Sequence, residues 1–252
     1  MFTVDDRDRF RDAILEMVRN DPRVVAGAVV GSLAHGPGDA WSDVDLTFGV
    51  VDDVPLVAIL DDWNSHLTAT FDAVHLFDLP HGPSLYRVFM FPGCLQVDLS
   101  CTPAAQFGAT SPRFRLLFGK AVEKPFPPPP SADELFGYAV HHMLRARFCI
   151  ARERYWHAEY WISSTRDYAL SLACRRRALP AVYGRGFDDL PADVLESFRG
   201  TLVTSLTRDE LLRALGEVID GLLREADDPR LKRAGFRGML RDLRSSCERE
   251  EP

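Results

Sequence analysis

Runs of apolar residues at strand spacing and at helical spacing alternate through the first 118 residues; beyond residue 131 only the helical spacing continues. Phe10, Ile14 and Met17 fall on one face of a helix predicted over about 5–20. The apolar run Val24, Val25, Ala26, Ala28, Val29, Val30 predicts a buried strand over 24–30, and a second strand is expected over 43–51. A helix over about 54–69 follows. Strands over 71–79, 85–91 and 94–100 come next, with a short piece at 114–118. Within 94–100, Leu95, Val97 and Leu99 share one face while Gln96, Asp98 and Ser100 share the other.

The prolines of residues 125–130 exclude helix and central strand and favour an extended connection. They divide the chain into an expected first domain over 1–124, a linker over 125–130 and a helical domain over 131–252. Ser131 and Glu134 have capping-box spacing, and Leu135, Ala139, Met143, Ala146 and Ile150 continue at helical period. A second helix is predicted over 157–178. Its closing Arg175, Arg176 and Arg177 suit a helix C-terminus. Further helices are expected over 191–200, 207–226 and 229–246, where Leu211, Leu212, Leu215, Val218 and Leu222 read as packing. The fold class is therefore α+β: a mixed-sheet domain followed by an all-α domain.

The chemistry concentrates between Gly31 and Leu46. A Gly-Ser pair closes the first strand, and ten residues later Asp43-Val44-Asp45 opens the second. Asp43 and Asp45 share a strand face while Val44 and Leu46 point into the body. Two adjacent carboxylates repel unless a cation lies between them, and magnesium, which shares its oxygen ligands with substrate phosphates, meets that need. Gly31 and Ser32 offer backbone N–H groups and a hydroxyl to phosphate oxygens. Asp-x-Asp alone commonly marks a strand end, and Gly-Ser alone says less still. Their spacing, and the lone Asp98 on a later apolar strand, make the combination specific.

This pattern resembles the DNA polymerase β-type nucleotidyltransferase superfamily, and within it the small antibiotic nucleotidyltransferases that adenylylate aminoglycosides or lincosamides. The motifs span roughly residues 20–120. The resemblance implies a five-stranded mixed sheet with flanking helices, two Mg²⁺ ions, and an NTP co-substrate, ATP first. It implies Asp43, Asp45 and Asp98 as metal ligands and Gly31 and Ser32 at the phosphates, with Ser42 beside them. The implied reaction moves AMP to a hydroxyl of a small molecule and releases pyrophosphate. The base is Asp98 or a helical-domain carboxylate, for which Glu159 is the first candidate, ahead of Glu153. Arg166, in register with Glu159, is a candidate for the triphosphate; a plain Glu159–Arg166 structural pair is the competing reading. His35, Pro37 and Asp39 crowd the phosphate loop, and Pro37 removes one donor. Trp41 is placed at the pocket mouth.

Composition narrows the picture. The net charge is −7, yet residues 1–100 hold sixteen Asp and Glu against six Arg and no Lys. Residues 141–180 hold eight Arg against Glu153, Glu159 and Asp167. The acidic first half argues against an extended nucleic-acid partner and suits a cationic acceptor. Five cysteines without metal spacing, and a charged start without signal-peptide character, suit free thiols in the cytoplasm. No apolar run reaches membrane-spanning length. Monomer and homodimer both fit the resemblance. Tyr155, Trp156, Tyr160 and Trp161 serve packing or a stacking wall, and His141 and His142 are read as surface or packing residues. Two other functions are also readable in the chain. Protein AMPylation needs the same three acids, and Arg152-x4-His157 resembles the site of HEPN ribonucleases that partner minimal nucleotidyltransferases in toxin–antitoxin pairs, though Glu153 there repels phosphate. A silent nucleotide-binding module is disfavoured by the presence of all three acids.

Overall fold

The computed structural model describes residues 1–232 and 234–248 and divides into two compact units, Met1–Pro127 and Pro128–Pro252. Within the first, helix α1 (Val4–Arg19) begins at a reciprocal cap: Thr3 Oγ1 accepts from the Asp6 N–H, and the Asp6 carboxylate accepts from the Thr3 N–H, each at 3.1 Å. Strands β1 (Val24–Val30) and β2 (Val44–Val50) pair antiparallel. Helix α2 (Leu56–Phe71) follows, and Asp72 ends it in the left-handed region (φ 54°). The next strand, β3 (Val74–His81), therefore starts three residues later than its apolar run predicts. β4 (Ser84–Phe91), β5 (Leu95–Pro103) and β6 (Phe114–Phe118) complete the sheet.

The strand order is β3-β4-β5-β2-β1-β6, with β2 and β5 parallel and every other neighbour antiparallel. The sheet has six strands, against five implied by the resemblance. The sixth is β6, which pairs with the far edge of β1, and Phe118 packs where a Cβ on Gly27 would sit.

One face of the sheet is closed. Val44, Leu46 and Phe48 of β2 and Val97, Leu99 and Cys101 of β5 pack with Phe10, Ile14 and Val18 of α1 and Ile59, Leu60, Trp63 and Leu67 of α2. Fully burying one such side chain stabilises by about 1.5–3 kcal/mol, so the position of both helices follows from the strands' alternation. Val18, rather than Met17, is the third buried apolar residue of α1. Arg87 on β4 is buried but paired, donating to Asp78 twice at 2.7 Å and to Asp61 of α2 at 2.8 Å. With the helices on one face, the polar positions of β2 and β5 are left on the other.

The second unit is helical: α3 (Ala132–Ala151), α4 (Tyr155–Arg176), α5 (Ala192–Phe198), α6 (Arg208–Glu225) and α7 (Ala234–Ser246). Ser131 and Glu134 form the expected cap of α3. Ala139, Met143, Ala146, Ile162, Ala169, Ala173 and the leucines of α6 make one core. Arg177, just past α4, reaches the buried Glu225 carboxylate at 2.8 Å, and Arg176 reaches it at 3.4 Å. No described helix is long and apolar enough to cross a membrane.

Candidate active site

Register places the three acids on one face of the sheet. In the parallel pair, Asp45 stands opposite Asp98 and Thr47 opposite Ser100, with the Ser100 hydroxyl donating to Thr47 Oγ1 at 2.8 Å. Asp43 lies one residue before β2 at the same parity, so all three carboxylates belong to the open face. All three are half-buried. Gln96 donates to Asp98 Oδ1 at 3.0 Å. Burial nevertheless raises the Asp98 carboxyl above its ordinary value, and the charge of Asp43 adds to the shift. Tyr86 of β4 stands opposite Ser100, and burial, with Asp45 and Asp98 nearby, pushes its phenol up.

The turn after β1 borders this face, packed against Asp45. Gly31–Ala34 is a single 3₁₀ turn whose first residue has φ +68°. A Cβ on Gly31 would collide with Asp45 Oδ2, so only glycine allows the acid and the turn to pack this closely. The first N–H groups of such a turn have no partner within it, which makes them available to an anion.

The loop that follows is held by arginines that no motif marks. Arg7 of α1 is buried and donates to the carbonyls of Asp39 (2.6 Å) and Pro37 (2.9 Å). Arg115 of β6 donates to the carbonyls of Ala34 (2.9 Å) and Leu33 (3.4 Å). His35 Nε2 meets the Pro112 carbonyl at 2.7 Å. Ser42 donates to Asp39 Oδ1 and accepts from the Asp39 N–H, both at 3.0 Å, so its hydroxyl braces the loop. Hydrogen bonds from the Trp41 N–H and from Ser42 hold the Asp39 carboxyl below its ordinary value. Trp41 itself is largely exposed. Gly31, Ser32, Gly38, Asp39, Ser42 and Arg113 line a groove of about 330 Å³. Arg113, exposed just before β6, is the cation of this groove.

Removing the Arg7 guanidinium tests the clamp. Arg7→Met keeps the apolar stem but leaves two carbonyls and their loop without the charged donor, at a cost of about 2–4 kcal/mol in urea unfolding. A loss below about 1 kcal/mol would show that the loop holds itself.

The donor set is of the kind a magnesium-like ion takes: hard carboxylate oxygens, with Asp45 and Asp98 opposed in register and Asp43 on the same face. Among the described residues no three His, Cys, Asp or Glu side chains are gathered as an assembled metal cage. An ion here would complete its shell from substrate and water, as magnesium commonly does.

Glu159 and Arg166 lie on α4 in the second unit. The Ser163 hydroxyl donates to Glu159 Oε1 at 2.6 Å, and Arg166 donates to that hydroxyl at 3.1 Å, so the pair is linked through a serine. Arg152 and His157 are separated by the α3–α4 turn, in which Glu153 has φ 56°, and both are exposed.

No protein-family model and no curated protein matches the chain. Among solved structures it is similar to an aminoglycoside 6-adenyltransferase from Bacillus subtilis, at 13% identity and TM-score 0.35, over 100% of this chain and 94% of that one. It is also similar to a GLD-2/RNP-8 complex chain, at 13% identity and TM-score 0.27, over 96% and 90% respectively. Likenesses of this strength decide neither fold nor function, which rest here on the residues themselves.

Proposed function

We propose that the chain is a Mg²⁺-dependent nucleotidyltransferase that moves a nucleoside monophosphate, AMP from ATP in the first instance, to a hydroxyl of a small molecule. The observation that carries this reading is the opposition of Asp45 and Asp98 in the parallel pair, with Asp43 at the same parity and the Gly31 turn packed on Asp45. Asp43, Asp45 and Asp98 would hold the metal, which when bound offsets charge on the attacking and leaving oxygens.

The chain's own groups account for the remaining steps. The Gly31–Ser32 turn and Arg113 receive the triphosphate oxygens. The acceptor hydroxyl oxygen bonds to the α-phosphorus, the bond to the bridging oxygen breaks, and pyrophosphate leaves with its electron pair. The hydroxyl proton passes to Asp98, which shares the face of Asp43 and Asp45. Glu159 is the second candidate for that proton. A near-normal rate in Glu159→Gln assigns the role to Asp98, whereas a strong fall in the chemical step alone assigns it to Glu159.

The acceptor is proposed to be an antibiotic of the aminoglycoside or lincosamide kind, in a cytoplasmic setting. The decisive assay measures pyrophosphate release with Mg²⁺, each of four NTPs and a panel of these compounds, with Asp43→Asn in parallel. Release that needs one acceptor and vanishes in the variant supports the reading; undiminished release by Asp43→Asn ends it. For Arg113→Ala the expected result is a roughly tenfold higher KM for the nucleotide with kcat little changed, the mark of a group that binds ground and transition states alike. An unchanged KM would remove Arg113 from the site.

A further inference from the structure

The second unit contains its own cleft, about 590 Å³ in volume and walled by residues of α3, α4 and the segment after α4. That volume lies within the range of small-molecule sites. Its chemistry is one-sided. Tyr160, Tyr168, Tyr183 and Phe187 supply aromatic wall, and Asp167 is the single charged carboxylate; no lysine or arginine lines the cleft. His142, also in the wall, adds no opposing charge near neutral pH, because burial and the adjacent His141 push its value down.

From these walls we infer that the cleft binds an organic monocation: one ammonium centre carried on an apolar or ring-shaped body. An ammonium group is drawn both to a carboxylate and to the negative faces of phenol rings. An anion would meet Asp167 and ring faces of the wrong sign, and a neutral ring would leave the carboxylate unused. A polycation would bring more charges than one carboxylate can match.

Two features mark the cleft as more than a packing gap. Asp167 is largely exposed, and its ion-pair contact, to Arg166, is long at 3.9 Å, so its charge is only loosely answered within the fold. Tyr183 is 91% exposed and held at φ 56°, a conformation that a bulky side chain seldom adopts. Its ring already draws a cation, the Arg185 guanidinium 5.6 Å away. The inference does not depend on nucleotidyl transfer and would survive the failure of that reading.

The test is calorimetric titration of the full chain with three probes on one ring: benzyltrimethylammonium, benzyl alcohol and phenylacetate. The cation is expected to bind at least tenfold more tightly than the alcohol, and phenylacetate not at all. Asp167→Asn should weaken the cation about tenfold and leave the alcohol unchanged, while Tyr160→Leu should weaken both ring-bearing probes. Both side chains are mostly exposed, so unaltered thermal melts are expected to verify that the variants fold. Equal affinity for the three probes overturns the inference. So does a cation affinity untouched by both variants, or no binding of the cation up to about 10 mM.

Discussion

Asp98→Asn is expected to lower nucleotidyl transfer by about a thousandfold while leaving the protein as stable as before, or more so. The loss follows from removing a charge that answers both the metal and the acceptor proton, together worth several kcal/mol at about 1.4 kcal/mol per tenfold in rate. The gain follows from the fold. Burial raises the Asp98 carboxyl, so the folded state disfavours its charged form. That penalty is absent at pH below the ordinary carboxylate range, where the group is protonated folded and unfolded. It is complete above the raised folded value, and so fully present at pH 7. Asparagine removes the charge but still accepts from Gln96 through its carbonyl oxygen. In EDTA at pH 7 the variant should melt at or above the unsubstituted protein's temperature, with the difference shrinking as the pH falls through the carboxylate range. A midpoint several degrees lower at pH 7 would mean that Asp98 holds the sheet together rather than waiting for a cation.

Gly31→Ala carries the second large effect. The added Cβ meets Asp45 Oδ2, and alanine must also adopt φ +68°, which by itself costs about 1–2 kcal/mol. Relief requires the turn or the acid to move, which shifts either the N–H groups at Gly31–Ser32 or the carboxylate opposite Asp98. The expected result is a loss of about 2–4 kcal/mol in stability and at least a hundredfold in transfer. Gly36→Ala in the same loop is the control: its Cβ would meet nothing within 4 Å, so a change within about 0.5 kcal/mol is expected. Similar behaviour of the two variants would show that the loop tolerates no side chain anywhere, and the specific role of Gly31 would lapse.

The tyrosine-lined cleft in the second unit is a case where patterning points elsewhere. His142, Tyr160 and Tyr168 sit on helices at positions that read equally well as packing, and Tyr183 lies in a stretch with no periodicity at all. What makes them a wall is the way α3 and α4 turn toward each other after residue 151. The reversal at Arg152–Arg154, with Glu153 at φ 56°, places Arg152 at the end of α3 and His157 in the first turn of α4.

Local alternation determined a great deal by itself. The period-two run of 94–100 placed Asp98 on a polar face, the apolar run before Gly31 ended in a turn as expected, and the Ser131–Glu134 spacing formed the cap it predicted. These features depend on residues a few positions apart, where the geometry of strand or helix leaves little choice. The strand–helix boundary near Asp72 was less legible, because apolar residues continue through the helix end and only the left-handed aspartate breaks them. Tertiary structure alone decided that Asp45 stands opposite Asp98 rather than one residue away, where the two would point to opposite faces. It alone decided that Arg7 and Arg115, far apart in the chain, hold the loop between Leu33 and Asp39. Pairing register and buried donors are set by how distant segments pack, and no period in a single segment encodes its partner.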